Sequence, residues 1–195
     1  MLGEAQRPLI YAGGGVIRSD GAAALREFSL EYGVPVVTTL MGLGAFDTTH
    51  PLCMSMLGMH GAAFANYAVD DCDFLFALGA RFDDRVAGNP PKFAPNARRI
   101  GQIDIDASEI NKVKPVSWSH TGMLPEALRA LLAYGRRSGF KRDWSTWQAH
   151  CTALKRAHPM DYDRATDLIR GAIPAPARRR TPCWGGGLPP FPGGA

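Results

Sequence analysis

The sequence predicts an α/β protein built on an open, doubly wound parallel sheet, on three observations. From residue 8 to about 134, short apolar or β-branched runs alternate with stretches of helical periodicity. The strand-like runs are almost continuously apolar, as strands covered on both faces are. Glycines and charges gather where those runs end, which is where open parallel sheets bind ligands.

Pro8-Leu9-Ile10-Tyr11-Ala12 is a short apolar run that meets Gly13-Gly14-Gly15, a buried strand entering a tight turn. Asp20 precedes a helix over 22–31, with Leu25, Phe28 and Leu30 at near-helical spacing and Gly33 as its stop. Residues 34–39 are β-branched and predict a second strand with Pro35 near its start. Residues 41–51 are glycine-containing and loop-like. The alanine-rich segment 61–69 suits a helix packed closely on a sheet. Residues 73–79 form the clearest buried strand, and 99–105 another, with Ile100, Ile103 and Ile105 as its apolar residues. Ser117-Trp118-Ser119 reads as a last short strand. A helix over 124–134 carries Leu124, Leu128, Leu131 and Leu132 on one face, with Pro125 in its first turn.

Three segments follow from this pattern. Residues 1–136 are expected to form the sheet domain. Residues 137–169, with Trp144, Trp147 and Leu154, read as a helical linker toward a further domain absent from the sequence. Residues 170–195 are mostly Gly, Pro, Ala and Arg without apolar periodicity, and predict a disordered tail. Those residue types have GC-rich codons, which points to an out-of-frame end.

The chain has 195 residues and 46% apolar residues, enough for a real core. No apolar run is long enough to span a bilayer, and residues 1–6 lack the pattern of a signal peptide. No membrane partner and a cytoplasmic location are therefore expected. The four cysteines form no CxxC pair and no zinc spacing, so no metal site is expected. The net charge is +4, with the basic residues late in the chain and no stacking aromatics among them. They predict a solvated face rather than a nucleic-acid surface.

Four places could bind or react. Gly13-Gly14-Gly15 would let a backbone approach a phosphate, or make a tight turn with no ligand. His60, between Met59 and Gly61, could be a base, but no carboxylate stands at a suitable spacing. Gly79-Ala80-Arg81-Phe82-Asp83-Asp84-Arg85 ends the strongest strand; Arg81 or Arg85 could clamp a phosphate. In Ile103-Asp104-Ile105-Asp106, an acidic residue could accept from ribose hydroxyls, or Asp106 could cap the following turn with Ser108. No nucleophile elbow, P-loop or HExxH occurs. The chain reads as a holder of a nucleotide-like cofactor, with no catalytic residue of its own.

The strings RPLIYAGGGV (7–16), TLMGLGAF (39–46), MLGMHG (56–61), Ala65-Asn66, GARFDDRVAG (79–88) and IDIDASEINK (103–112) resemble the central domain of acetolactate synthase, a thiamine-diphosphate enzyme. The resemblance runs from Arg7 to about Arg164 and implies a Rossmann-like domain that binds FAD without redox use of it. It implies that Gly14 approaches the pyrophosphate; that Thr39, Leu40, Leu57, Gly58, Met59 and His60 line the flavin; and that Gly79, Ala80, Arg81, Phe82 and Asp83 wrap the diphosphate and ribitol. It further implies Asp104 and Ile105 at the adenosine end, and Asp84 and Arg85 at the substrate channel. Thiamine diphosphate and Mg2+ would be held by other domains, so the chain alone is expected to be inactive. Family members make branched-chain amino acids by 2-oxoacid condensation and form homodimers or larger assemblies with a regulatory subunit. One departure stands out: the family usually has Gly-Asp before its last helix, and here Met123 follows Gly122. The residues alone leave open a stand-alone binder of another adenine dinucleotide.

Overall fold

The computed structural model describes residues 1–160. The strands are β1 (Pro8–Ala12), β2 (Val36–Thr38), β3 (Cys53–Met56), β4 (Phe74–Leu78), β5 (Arg99–Asp104) and β6 (Trp118–Thr121). They make one sheet in the order β3-β2-β1-β4-β5-β6, with every neighbouring pair parallel. The open parallel sheet expected from the alternating pattern is what forms. Its order reverses between β1 and β4, the switch point beside which open parallel sheets carry ligands at the carboxyl end.

The helices are α1 (Gly14–Arg18), α2 (Ala22–Tyr32), α3 (Ala63–Asp71), α4 (Asp84–Ala87), α5 (Leu124–Arg137) and α6 (Ser145–Ala157). Both faces of the sheet are covered. Phe76 of β4 meets Phe28 of α2 at a ring separation of 5.8 Å. Its neighbour Ala77 lies beside Tyr11 of β1, whose ring packs on Phe82 and Phe93. Successive strand residues point to opposite faces, so these are two separate layers. Leu9, Ile10, Val36, Val37, Leu75, Leu78 and Ile103 are completely buried between them.

Several local expectations change. Leu30 is 51% exposed, and Tyr32 takes the buried position next to Phe28. Ile105 lies beyond β5 and is 69% exposed. Strand β3 was not anticipated: Cys-Met-Ser-Met has no β-branched residue, and pairing with β2 makes the strand. Helix α5 runs one turn further than its leucine pattern, and α1 and α4 are short additions after β1 and β4.

The stretch read as a linker contains α6, which is docked within the unit Met1–Pro159. Trp144 and Trp147 are buried, and their indole N–H groups donate to the carbonyls of Ala5 (3.1 Å) and Pro8 (2.8 Å). The expected tail, 170–195, lies outside the described residues, as do residues 161–169. No helix among the described residues is long and apolar enough to cross a membrane.

Candidate functional site

The turns leaving β1 and β4 are fastened together by their backbones. Gly13 N–H donates to Leu78 C=O at 2.9 Å, and Gly15 N–H to Gly79 C=O at 3.0 Å. A Cβ on Gly13 would lie 2.2 Å from the Gly79 oxygen, and one on Gly15 2.6 Å from Gly79 Cα. No side chain fits this joint, so Gly13 and Gly15 serve loop packing. Gly14 faces elsewhere: a Cβ there would meet Met41 Cβ at 2.9 Å. The triplet thus divides into two residues that join the turns and one that borders the β2 loop.

After β4 the chain runs through two left-handed residues, Gly79 (φ 55°) and Phe82 (φ 57°). For a phenylalanine this conformation costs about 1–3 kcal/mol. Burial of the ring against Tyr11 (5.4 Å) and Phe93 (6.0 Å) offsets that cost. Between them the N–H groups of Ala80, Arg81 and Phe82 make no hydrogen bond within the described residues. Consecutive free N–H groups in such a bend are an anion cradle. Arg81, Asp83, Asp84 and Arg85 are exposed, and an Asp83 carboxylate oxygen accepts from Arg85 N–H at 3.1 Å, capping α4.

The loop after β3 docks on this one. Met59 N–H donates to Arg85 C=O at 3.1 Å. Gly58 has φ 96°, and a Cβ there would meet the Arg85 oxygen at 2.9 Å. Asn66 clasps Gly58 from below, accepting its N–H at 2.8 Å and donating to its carbonyl at 3.1 Å. Leu57 is buried, its N–H on Thr38 C=O; Met59 is 69% exposed. His60 is exposed and its side chain makes no hydrogen bond among the described residues. After β2, Thr39 is buried with its hydroxyl accepting from Gly42 N–H at 3.1 Å, while Leu40 and Met41 are exposed.

At the end of β5, Asp104 is buried and accepts from Asp106 N–H at 3.0 Å. Asp106 caps the turn over 107–109 through Ser108 N–H at 2.9 Å, and the bonds to Ser108 hold its carboxyl below the ordinary range. This is the capping role weighed from sequence. Met123 stands at the N-cap of α5, exposed, with no side-chain cap bond.

The structure therefore gathers the expected residues at the carboxyl ends of β1, β2, β3, β4 and β5, but with divided roles. Leu57, Thr39, Ala80 and Phe82 have buried side chains and offer mainly backbone. Leu40, Met41, Met59, Ile105 and Met123 are large exposed apolar groups on the loops that follow β2, β3, β5 and β6. Two contributors were given no role from the sequence, although Ala65-Asn66 is among the strings that carry the resemblance. Asn66 holds Gly58. Gln102, fully buried on β5, donates to Ala80 C=O and Glu109 C=O, each at 3.3 Å, tying the loops after β4 and β5; its side-chain oxygen has no partner among the described residues. The available signal was a glutamine between Gly101 and Ile103 in the middle of a buried strand. No group of three or more His, Cys, Asp or Glu among the described residues could hold a metal ion.

Comparison with known proteins follows the same lines. The family model described as "Thiamine pyrophosphate enzyme, central domain" matches residues 1–131. The acetolactate synthase isozyme 2 large subunit of Escherichia coli (strain K12) is 43% identical over 169 residues, covering 87% of this chain and 29% of that protein. The acetolactate synthase large subunit of Corynebacterium glutamicum is 44% identical, covering 84% of this chain and 26% of that protein. Acetolactate synthase 1, chloroplastic, of Oryza sativa subsp. japonica is 45% identical, covering 83% of this chain and 25% of that protein. The chain thus spans less than a third of the length of each of these relatives.

Proposed function

The chain belongs to the thiamine pyrophosphate enzyme central-domain family, and on that premise we propose that it binds FAD at the carboxyl ends of its strands. The observation that carries the reading is the run of free N–H groups at residues 80–82, between two left-handed residues and beside the glycine joint. Diphosphate oxygens need such donors. The apolar residues on the neighbouring loops, Leu40, Met41 and Met59, suit the flat, largely apolar flavin ring.

In this reading Gly14 and Gly79–Asp83 hold the diphosphate and ribitol. Thr39, Leu40 and Leu57–His60 border the flavin, and Asp104 and Ile105 take the adenosine end. Asp84 and Arg85 belong to the substrate channel of the complete enzyme. FAD in this setting supplies shape and binding energy rather than electron transfer. Thiamine diphosphate and Mg2+ would be held by residues outside these 195. The activity of the whole assembly, 2-oxoacid decarboxylation and condensation toward branched-chain amino acids, needs them, as would assembly into dimers or with a regulatory subunit. The chain by itself is proposed to bind flavin and to form no acetolactate.

The test is a flavin titration of the purified chain, followed by thermal unfolding and by quenching of flavin fluorescence. Unfolding should shift upward with the logarithm of FAD concentration, corresponding to about 2.7 kcal/mol at a hundredfold excess over Kd. NAD and coenzyme A at equal concentration should not compete. A folded sample whose unfolding ignores FAD would overturn the proposal.

A further inference from the structure

Helix α3 and the segment from α4 to the turn at 90–93 enclose a groove of about 330 Å³. It starts beside Gly58 and Met59 and runs along α3, whose Asn66, Val69 and Asp70 share one face at helical spacing. Three features define its chemistry. Met59, Val69, Val86 and Phe93 give it an apolar lining. Asp70 stands on the α3 wall and Lys92 on the opposite segment, and neither side chain makes an ion pair or hydrogen bond among the described residues. The second wall is braced: Lys114 donates to the carbonyls of Pro90 and Phe93, both at 2.9 Å. Asn66 also lines the groove, but its amide is already spent on Gly58.

A carboxylate and an ammonium held on separate walls over an apolar lining complement a ligand with the opposite pair. We propose that this groove binds a small zwitterion, an α-amino acid with an unbranched apolar side chain. Its ammonium meets Asp70, its carboxylate meets Lys92, and its side chain lies toward Met59, Val86 and Phe93. The volume exceeds that of such a molecule, so bridging waters complete the fit. This groove lies apart from the backbone cradle at residues 80–82 but meets the proposed flavin border at Gly58 and Met59, so the titration is run with and without FAD.

The probe is L-norleucine, compared with hexanoate, which lacks the amino group, and pentylamine, which lacks the carboxylate. Calorimetric titration of the full chain, with and without FAD, should give norleucine an affinity at least about tenfold above either fragment, the worth of one charge-assisted contact. Asp70→Asn should bring norleucine down to the level of hexanoate and leave hexanoate unchanged. Lys92→Met should bring it down to the level of pentylamine and leave pentylamine unchanged. Both positions are exposed, so unfolding temperature and FAD titration should match the parent chain. Equal affinity for all three probes, absence of norleucine binding at millimolar concentration, or variants that weaken every probe alike would each overturn the proposal. Norleucine binding without flavin binding would sink the cofactor reading and leave this one standing.

Discussion

The two ends of one sheet are finished in opposite ways. At the amino end, α6 lays two tryptophans over the entry to β1, and each indole N–H satisfies a backbone carbonyl there. Apolar surface and hydrogen-bonding capacity are closed together. At the carboxyl end, glycine backbones meet face to face, three N–H groups have no partner among the described residues, and methionine, leucine and isoleucine side chains remain exposed. Folding alone gains nothing from that arrangement, since free donors and exposed apolar groups are left for a ligand or a neighbouring domain to cover. One end seals the fold, and the other is where FAD binding is proposed.

The contrast can be broken at either end. The largest effect is expected from Trp147→Ala, which opens the sealed end and leaves Pro8 C=O without its donor; it should cost about 3–5 kcal/mol, read from the denaturant midpoint. Flavin affinity in the remaining folded fraction should be unchanged. At the open end, Gly13→Ala forces the two turns apart and should cost about 1–3 kcal/mol while abolishing flavin binding. A cost within error there would mean the turns are not joined. Met123→Asp supplies the missing N-cap of α5 and should add about 1 kcal/mol to thermal stability. It also restores the Gly-Asp pair of the family, whose carboxylate would accept from the adenosine part of FAD, so FAD affinity should rise.

The smallest effect concerns the α2–α5 seam, where Arg136 bonds Glu27 and Glu31 at 2.9 and 2.8 Å. The bond to Arg136 holds the Glu31 carboxyl below its ordinary value. A depressed carboxylate stabilises the fold above its unfolded pKa, about 4.3, and that contribution fades as pH falls through the lower folded value. Acid unfolding should therefore be shallower in Arg136→Gln than in the parent chain over that window. Because these charges are exposed, the difference should shrink at high salt.

Much of this was legible in the sequence. Alternation of buried strands with helical periodicity is a local, repeated signal, and it was enough to name an open parallel sheet. The dense motifs all fall at the carboxyl ends of the strands, because a parallel sheet puts the loops after its strands on one side. The exceptions are instructive. Leu30, two residues after Phe28, lies off the face that Leu25 and Phe28 share, whereas Tyr32, four after Phe28, lies on it and reaches Leu132 C=O of α5. Cys53–Met56 has no strand propensity of its own and becomes a strand by pairing with β2.

The amino-acid order by itself determined the fold class, the family and the loops that matter, since each rests on patterns within one segment. Tertiary structure alone decided which glycines of Gly13-Gly14-Gly15 join the turns and which borders the β2 loop, that Asn66 and Gln102 brace the strand-end loops, and that Asp70 and Lys92 share a groove. Those outcomes depend on distances between segments far apart in the chain. Hydrophobic periodicity carries no information about such distances; close packing of the whole core sets them.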